Sequence, residues 1–164
     1  MLLNRQEPHV TSPHFTGVQG DARDLSRFRD REFDVVFSNS VIEHVGDYAD
    51  QRRMADEIRR IGKRYFLQTP NRHFPIEPHF LFPFFQFLPL CTQVWLVSHL
   101  SLGWHRKVID RQEAVQMVAS IRLLTRREMQ ELFPEATLVE EKFGGLTKSF
   151  IVHAGWDCST SERH

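Results

Sequence analysis

The hydrophobic pattern of the chain predicts strands and helices in an alternating order. The run Phe33–Phe37 reads FDVVF, an apolar and β-branched segment typical of a strand buried on both faces of a parallel sheet. Between Asp47 and Ile61 the apolar residues recur at the spacing of one helix face, and Gly62 follows as a stop signal. The segment Arg64–Gln68 then predicts a second strand. Strand, helix and strand in this order predict a βαβ unit with parallel strands.

Further elements are predicted on both sides of this unit. Residues 14–20 form a short extended segment that ends in Gly-Asp. Thr125–Glu128 has the sequence of a capping box and opens a short helix. The strands Thr137–Phe143 and Ser149–Ala154 flank a Gly-Gly turn, which predicts an antiparallel hairpin at a sheet edge. The polar tail 156–164 is predicted to be disordered.

Residues 71–112 form a Phe- and Pro-rich segment with a different character. From Pro78 through Trp104 the chain has no Asp, Glu, Lys or Arg, a length that would suffice for a transmembrane helix. Internal prolines, Gln86 and Gln93 argue against that interpretation. We therefore predict an apolar insertion, which acts as a lid over a pocket or lies on a membrane surface.

Length and charge restrict the class of protein. With 164 residues the chain predicts a single domain, placed at residues 1–155. The formal net charge of zero gives no reason to expect nucleic acid as a partner, and the arginines of the helix 47–61 are interpreted as a solvated face. Cys91 and Cys158 form no metal or disulfide motif, and the start of the chain has no secretory pattern. A cytoplasmic protein is the expectation.

Polar side chains follow two of the predicted strands. Asp21 and Ala22 come directly after the segment 14–20, and Ser38 and Asn39 end the strand that begins at Phe33. Ligands of open α/β sheets bind at the carboxyl ends of strands. A lone Asp21 would be interpreted as a turn cap, but the second polar strand end favours a shared pocket.

These features together resemble the class I S-adenosylmethionine-dependent methyltransferases that act on small molecules. The resemblance is carried by GDARDL at 20–25, FDVVFSNSVIEH at 33–44 and YFLQTPNR at 65–72. It spans residues 15–154 and implies an α/β fold, namely part of a doubly wound Rossmann-like sheet with a C-terminal antiparallel hairpin and an apolar insertion. It also implies methyl transfer from S-adenosylmethionine to a small molecule. The Phe-rich segment suggests that this methyl acceptor is apolar.

The resemblance also implies roles for individual residues. Asp21 is similar to the family acid that accepts the adenine amine, with the Ala22 N–H near the ring. Ser38 and Asn39 are expected beside the methionine part of the cofactor. His44 lies where this family often has a histidine with structural and substrate-side roles.

Methyl transfer mainly requires that the nucleophile of the acceptor be aligned with the methyl group. It needs a base only if the acceptor must lose a proton. Candidates for that base are His44, His73, Glu77 and His79, although each single histidine could be an exposed loop residue. His73, Glu77 and His79 also suggest a metal site, but the intervening prolines disrupt regular ligand spacing. We therefore predict no metal.

The sequence departs from the family at its start. The family's G-x-G-x-G cofactor loop and the acid of its second strand are not found, so the resemblance implies a start near the end of the following helix. In the family strand order 3-2-1-4-5-7-6, two strands would separate the segment 15–19 from Phe33–Phe37. Unpaired strand edges that invite association are therefore expected, as is weak or no cofactor binding. A truncated gene, a misplaced start or a partner chain that supplies the missing half would explain this departure.

Two alternatives remain open. The chain could be a non-catalytic methyltransferase-like remnant that binds a partner or a membrane surface through the Phe-rich segment. It could also be another nucleotide-binding α/β enzyme, such as a dehydrogenase, whose glycine-rich signature would lie in the same absent region.

Overall fold

A computed structural model describes residues 1–7 and 12–156, which contain both helices and strands. Cys158 and the predicted tail beyond Trp156 lie outside the described residues. In chain order the elements are β1 (Leu2–Asn4), β2 (Gly17–Gln19), β3 (Val36–Asn39), α1 (Tyr48–Ile61), β4 (Tyr65–Pro70), β5 (Ile76–Glu77), β6 (Phe82–Pro83), α2 (Leu90–His99), α3 (Arg111–Ala119), α4 (Arg126–Leu132), β7 (Thr137–Phe143) and β8 (Leu146–Ala154). The fold is therefore mixed α/β, as predicted.

The predicted βαβ unit is confirmed by β3, α1 and β4. The two strands pair in parallel, with Phe37 opposite Phe66. Asp47 caps α1 because its side chain accepts a hydrogen bond from the Asp50 N–H, and Gly62 follows the helix as predicted. The first strand begins later than expected, since Phe33 makes only an isolated bridge to Gly62.

The largest sheet has four strands in the order β3, β4, β8, β7. Strand β8 pairs antiparallel with both β4 and β7, so the C-terminal hairpin extends the parallel pair. The main core lies on one face of this sheet, where α1 and α4 pack through buried residues that include Met54, Ile58, Leu67, Met129 and Val152.

The prediction that the strand at Phe33–Phe37 is buried on both faces is wrong. Val35 is 48% exposed and Phe37 is 69% exposed. Val36 packs against the core, whereas Phe37 points to the opposite face and stacks on Phe66 with the ring centroids 5.5 Å apart. A continuous apolar run does not show which of its faces is covered, because that depends on elements distant in sequence.

The start of the chain also differs from the expectation. Leu2–Asn4 form strand β1, which pairs in parallel with β2, where the end of a helix was expected. These two strands make a sheet of their own among the described residues. As expected, β2 does not pair with β3, and β3 has β4 as its one strand partner in the described part of the chain.

The Phe- and Pro-rich segment folds around a core of its own. Its short hairpin of β5 and β6 precedes α2 and α3, and the buried residues of the second core are Phe80, Phe85, Val94, Leu96, Val97, Val108, Ala114 and Val118. In the described residues no helix has the length and apolar character that crossing a bilayer requires. The segment is thus a packed helical unit attached to the sheet.

Candidate functional site

A one-turn 3₁₀ helix places Glu43 and His44 just beyond the carboxyl end of β3. This turn, Ile42–His44, is held from two sides. The buried Gln51 donates to the Ile42 carbonyl at 3.1 Å, and the Glu43 carbonyl accepts the Arg122 N–H at 2.8 Å. Hydrogen bonds from the Gln51 side chain of α1 and from the backbone before α4 therefore hold this turn in place.

The Glu43 side chain is fully buried. Its Oε2 accepts a hydrogen bond from the Thr69 hydroxyl at 2.9 Å, whereas its Oε1 has no partner among the described residues. Buried carboxylate oxygens are rarely left unpaired, because the missing hydrogen bond costs free energy. Among the described residues, Glu43 is therefore the buried carboxylate that has an unpaired oxygen.

The Phe-rich segment adds Glu77 and His79 to the same place. His79 Nδ1 lies 2.6 Å from Glu77 Oε1, and the Phe80 N–H donates to Glu77 Oε2 at 2.7 Å. His79 Nε2 in turn lies 3.0 Å from His44 Nε2. Glu77, His79 and His44 therefore form a continuous polar chain from a buried carboxylate to the surface.

A glycine makes room for this arrangement. Gly103 has a φ of +55°, and a Cβ built there would lie 2.6 Å from the His79 carbonyl oxygen. The turn containing Gly103 can therefore pack directly on the backbone of His79, which restricts the position of that residue.

The environments of these groups shift their pKa values in different directions. Burial raises the pKa of Glu43 above its usual range. Burial, together with the nearby His79, lowers the pKa of His44. Burial also opposes a charge on His79, but the hydrogen bond and the charge of Glu77 outweigh it, so the pKa of His79 is raised.

The structure brings together three of the four predicted base candidates. His44, Glu77 and His79 meet, while His73 is exposed and stacks on Phe87 with the ring centroids 6.3 Å apart. Sequence reasoning gave no role to Glu43, although it stands next to His44 in the motif that carried the resemblance. Its complete burial, which a sequence does not show, is what makes it a candidate.

Asp21 and Ala22 line a cavity of about 340 Å³ together with Val41 and His44. Asp21 follows β2 and lies beside residues that follow β3, but Ser38 and Asn39, with which a shared pocket was predicted, do not line this cavity. Its carboxylate is already paired, because Arg23 Nη2 lies 2.6 Å from Oδ2 and Arg23 Nε lies 2.9 Å from Oδ1. The Arg23 hydrogen bonds lower the pKa of Asp21 to about 2.

Ser38 and Asn39 do not share a face. Ser38 is buried, and its hydroxyl has no partner among the described residues. Asn39 is exposed on the other face, where it lines a second cavity of about 580 Å³. The alternation of strand side chains separates the two residues, so they cannot contact one small group together.

The second cavity is mostly apolar and lies between the sheet and the Phe-rich segment. Its apolar lining comes from Pro70, Phe74, Ile76, Pro78, Leu81 and Phe143. Gln68, Glu141 and Lys148 add polar groups to its wall. His44 itself lines the first cavity, whereas Ser40 and Pro78, the chain neighbours of Val41 and His79, line the second.

Comparison with known proteins shows a similarity over the first part of this chain. Residues 2–65 match the family model described as methyltransferase domain. Over this segment the chain is similar to a methyltransferase domain. The match agrees with the family predicted from the motifs after β2 and β3, and the matched segment contains Asp21, Ser38, Glu43 and His44.

The matched relatives are longer proteins. Two uncharacterised proteins of Mycobacterium tuberculosis, MT1557 and Rv1509, are each 38% identical over 56 residues, which is 34% of this chain and 19% of the relative. The match therefore spans about a fifth of the length of these curated relatives.

Solved structures with detectable similarity include the PH0226 protein of Pyrococcus horikoshii OT3. It is 21% identical, with a TM-score of 0.45 over 83% of this chain and 57% of that chain. A SAM-dependent methyltransferase of Methanosarcina mazei is 15% identical, with a TM-score of 0.43 over 83% of this chain and 64% of that chain.

Proposed function

We propose that this chain takes part in the transfer of a methyl group from S-adenosylmethionine to a small apolar molecule. The observation that carries the proposal is the pair of cavities at the carboxyl end of β3, one beside Asp21 and one lined mainly by apolar side chains. The methyltransferase match over residues 2–65 supports it, because that segment contains all the lining residues of the first cavity and contributes Asn39 and Ser40 to the second.

The residues of the first cavity can bind the adenine part of the cofactor if Arg23 releases Asp21. A carboxylate with a pKa of about 2 is ionised at neutral pH and can accept from an adenine amine. Arg23 occupies both Asp21 oxygens, but its Nη1 also lies 3.1 Å from Asp50 Oδ2. Arg23 can therefore turn fully toward Asp50 and release Asp21, with the Ala22 N–H beside the ring.

The second cavity has the properties that methyl transfer requires of an acceptor site. S-adenosylmethionine would supply an activated methyl group, so the protein mainly has to align the acceptor and exclude water. The apolar side chains of the Phe-rich segment bury an apolar acceptor, and Asn39 and Gln68 orient its polar end. The acceptor atom would then be directed toward His44, which lines the first cavity.

Cofactor binding can be tested by following backbone amide resonances during titration with S-adenosylhomocysteine. We expect weak, saturable shifts at Gly20, Ala22 and Val45 and none at the hairpin turn Gly144–Gly145. Asp21→Ala should abolish these shifts, whereas Asp24→Ala, on an exposed neighbour outside the cavity, should not. An unchanged spectrum of the wild-type chain at millimolar ligand would overturn the proposal.

A membrane-surface module is a second candidate, which one observation favours. Trp104 is 82% exposed and Ile109 is 86% exposed, and Arg106 and Lys107 lie between them. Exposed aromatic and aliphatic side chains interleaved with basic ones are typical of contact with an anionic membrane surface.

Vesicle sedimentation tests whether this surface binds a membrane. Vesicles containing phosphatidylserine should pellet the wild-type chain, and the Trp104→Ser and Ile109→Ser double variant should stay in the supernatant. Trp156→Ser replaces an exposed tryptophan outside the segment and should sediment like the wild type. Equal sedimentation of all three proteins would exclude this surface as a membrane contact.

A further inference from the structure

The cluster beyond β3 contains three groups that are typical metal ligands. Glu43, His44 and His79 each place one ligand atom within 4.8 Å of the other two. We propose that these three side chains bind one divalent transition-metal ion, with Zn²⁺ as the best fit. The sequence prediction of no metal site was based on His73, Glu77 and His79. The fold assembles a different set of possible ligands.

The distance between the two histidine nitrogens is compatible with a shared metal ion. Two nitrogen ligands at about 2.1 Å from a tetrahedral zinc ion are separated by about 3.4 Å. The two Nε2 atoms of His44 and His79 are 3.0 Å apart, so a small movement of the two rings would admit the ion. Two histidines with one carboxylate form a donor set of catalytic zinc sites, which leaves a coordination position open for water or substrate.

The unpaired carboxylate oxygen provides an independent observation. Glu43 is fully buried, its Oε2 accepts from Thr69, and its Oε1 has no hydrogen-bond partner in the described part of the chain. A cation held between Glu43 and the histidines would compensate for the cost of burying this group. Hydrogen bonding between the two histidines alone leaves the carboxylate unexplained.

The surroundings of His79 are those of a metal ligand. Its Nδ1 lies 2.6 Å from Oε1 of Glu77, which is itself 2% exposed. Ligating histidines usually give their second ring N–H to a carboxylate, which fixes the tautomer and directs the other nitrogen at the metal. The Phe80 N–H fixes Glu77, and Gly103 packs against the His79 backbone, so this outer shell is preformed.

The position of the site suggests what the ion would do. His44 lines the cavity beside Asp21, and Pro78, next to His79, lines the apolar cavity. A metal with an open position there would bind and polarise an acceptor oxygen, which narrows the acceptor to a molecule with a hydroxyl or carboxylate group. This role rests on the proposed function, whereas binding of the ion does not.

The test is metal binding by the chain itself, without cofactor or acceptor. After treatment with a chelator, titration calorimetry with ZnCl₂ should show one site per chain. Co²⁺ should give the visible absorption of a low-coordinate site with nitrogen ligands. His44→Ala and His79→Ala should each weaken zinc binding at least a hundredfold, and Glu77→Gln should weaken it about 10–100-fold. His73→Ala, on an exposed histidine outside the cluster, should leave it unchanged.

Glu43→Gln removes the charge and keeps the shape, and circular dichroism shows whether that variant is folded. If it fails to fold, the two histidine variants decide the question. Zinc binding that survives both His44→Ala and His79→Ala, or a loss of the same size in His73→Ala, would overturn the site. The cofactor titration, followed at the amides of Gly20, Ala22 and Val45, is carried out with metal-free protein, and the zinc titration is carried out without cofactor. The two experiments therefore show separately whether the metal site or the proposed function fails.

Discussion

At the scale of single residues, Gln51 has an unusually central position. It is fully buried in α1, donates to the carbonyls of Ile42 and Arg122, and accepts from Arg122 Nη1 at 2.7 Å. One amide thereby connects the turn that bears Glu43 to the segment before α4. A buried network of this kind is stabilising only while every member is paired.

Replacing Gln51 by Leu tests this connection. The change removes the side-chain partner of two carbonyls and of the Arg122 Nη1 group, and each buried unsatisfied group costs about 1–3 kcal/mol. We expect a loss of at least about 2 kcal/mol in the free energy of unfolding, measured by urea denaturation. Gln116→Leu changes an exposed helical glutamine and should have little effect. Equal stability of the two variants would show that Gln51 has no structural role.

At the scale of elements, the start of α4 depends on a titratable group. The Thr125 side chain and the Glu128 side chain form a reciprocal capping box, and Arg122 pairs with the same carboxylate. Burial would raise the pKa of Glu128, but the hydrogen bonds from Arg122 and Thr125 outweigh it and lower that pKa. The stabilisation is therefore present above the ordinary glutamate pKa and is lost as the pH falls through the lower pKa of the folded state.

Thermal unfolding between pH 6 and pH 3 should reveal this contribution. The wild-type melting temperature should fall over this range more steeply than that of Glu128→Gln, which has no carboxylate to protonate. Glu113→Gln, at the equivalent position in the exposed first turn of α3, should keep the wild-type slope. Parallel curves for wild type and Glu128→Gln would contradict the assignment.

Elements with strong local signals could be predicted from the sequence, and others could not. The capping box before α4 and the periodic spacing of α1 are encoded within a few residues. Helix α2 is apolar on several sides and lies in a proline-rich region, so its periodicity is weak. Helix α3 had a usable signal in Asp110, which caps it by accepting from the Glu113 N–H.

At the scale of the whole molecule, the candidate site was only partly visible in the sequence. The sequence predicted that the polar residues after β2 and β3 line one pocket, because strand ends follow from local pattern. Asp21 and Asn39 do line cavities, but not the same one. The contact between His44 and His79 joins positions 35 residues apart, and it requires the Phe-rich segment to fold back onto the sheet. No local pattern reports such a contact, and burial of Glu43 likewise depends on the assembled core.

The two edges of the four-stranded sheet differ in charge, which predicts how the molecule associates. Strand β7 carries Glu140, Glu141 and Lys142, and charges at an edge oppose pairing with another chain. Strand β3 reads VFSN and has no charge, and its Phe37 is 69% exposed. We therefore expect two copies of the chain to associate through β3.

Sedimentation velocity at increasing protein concentration measures this association. The wild type should shift toward dimers or larger species, whereas Phe37→Glu should stay monomeric because a charge at the edge strand opposes pairing. Phe143→Glu is a matched control, since Phe143 is 68% exposed but lies on the charged strand β7. If Phe143→Glu dissociates the chain as effectively as Phe37→Glu, association is a general effect of exposed aromatic surface. If only Phe37→Glu does so, the uncharged edge is the interface.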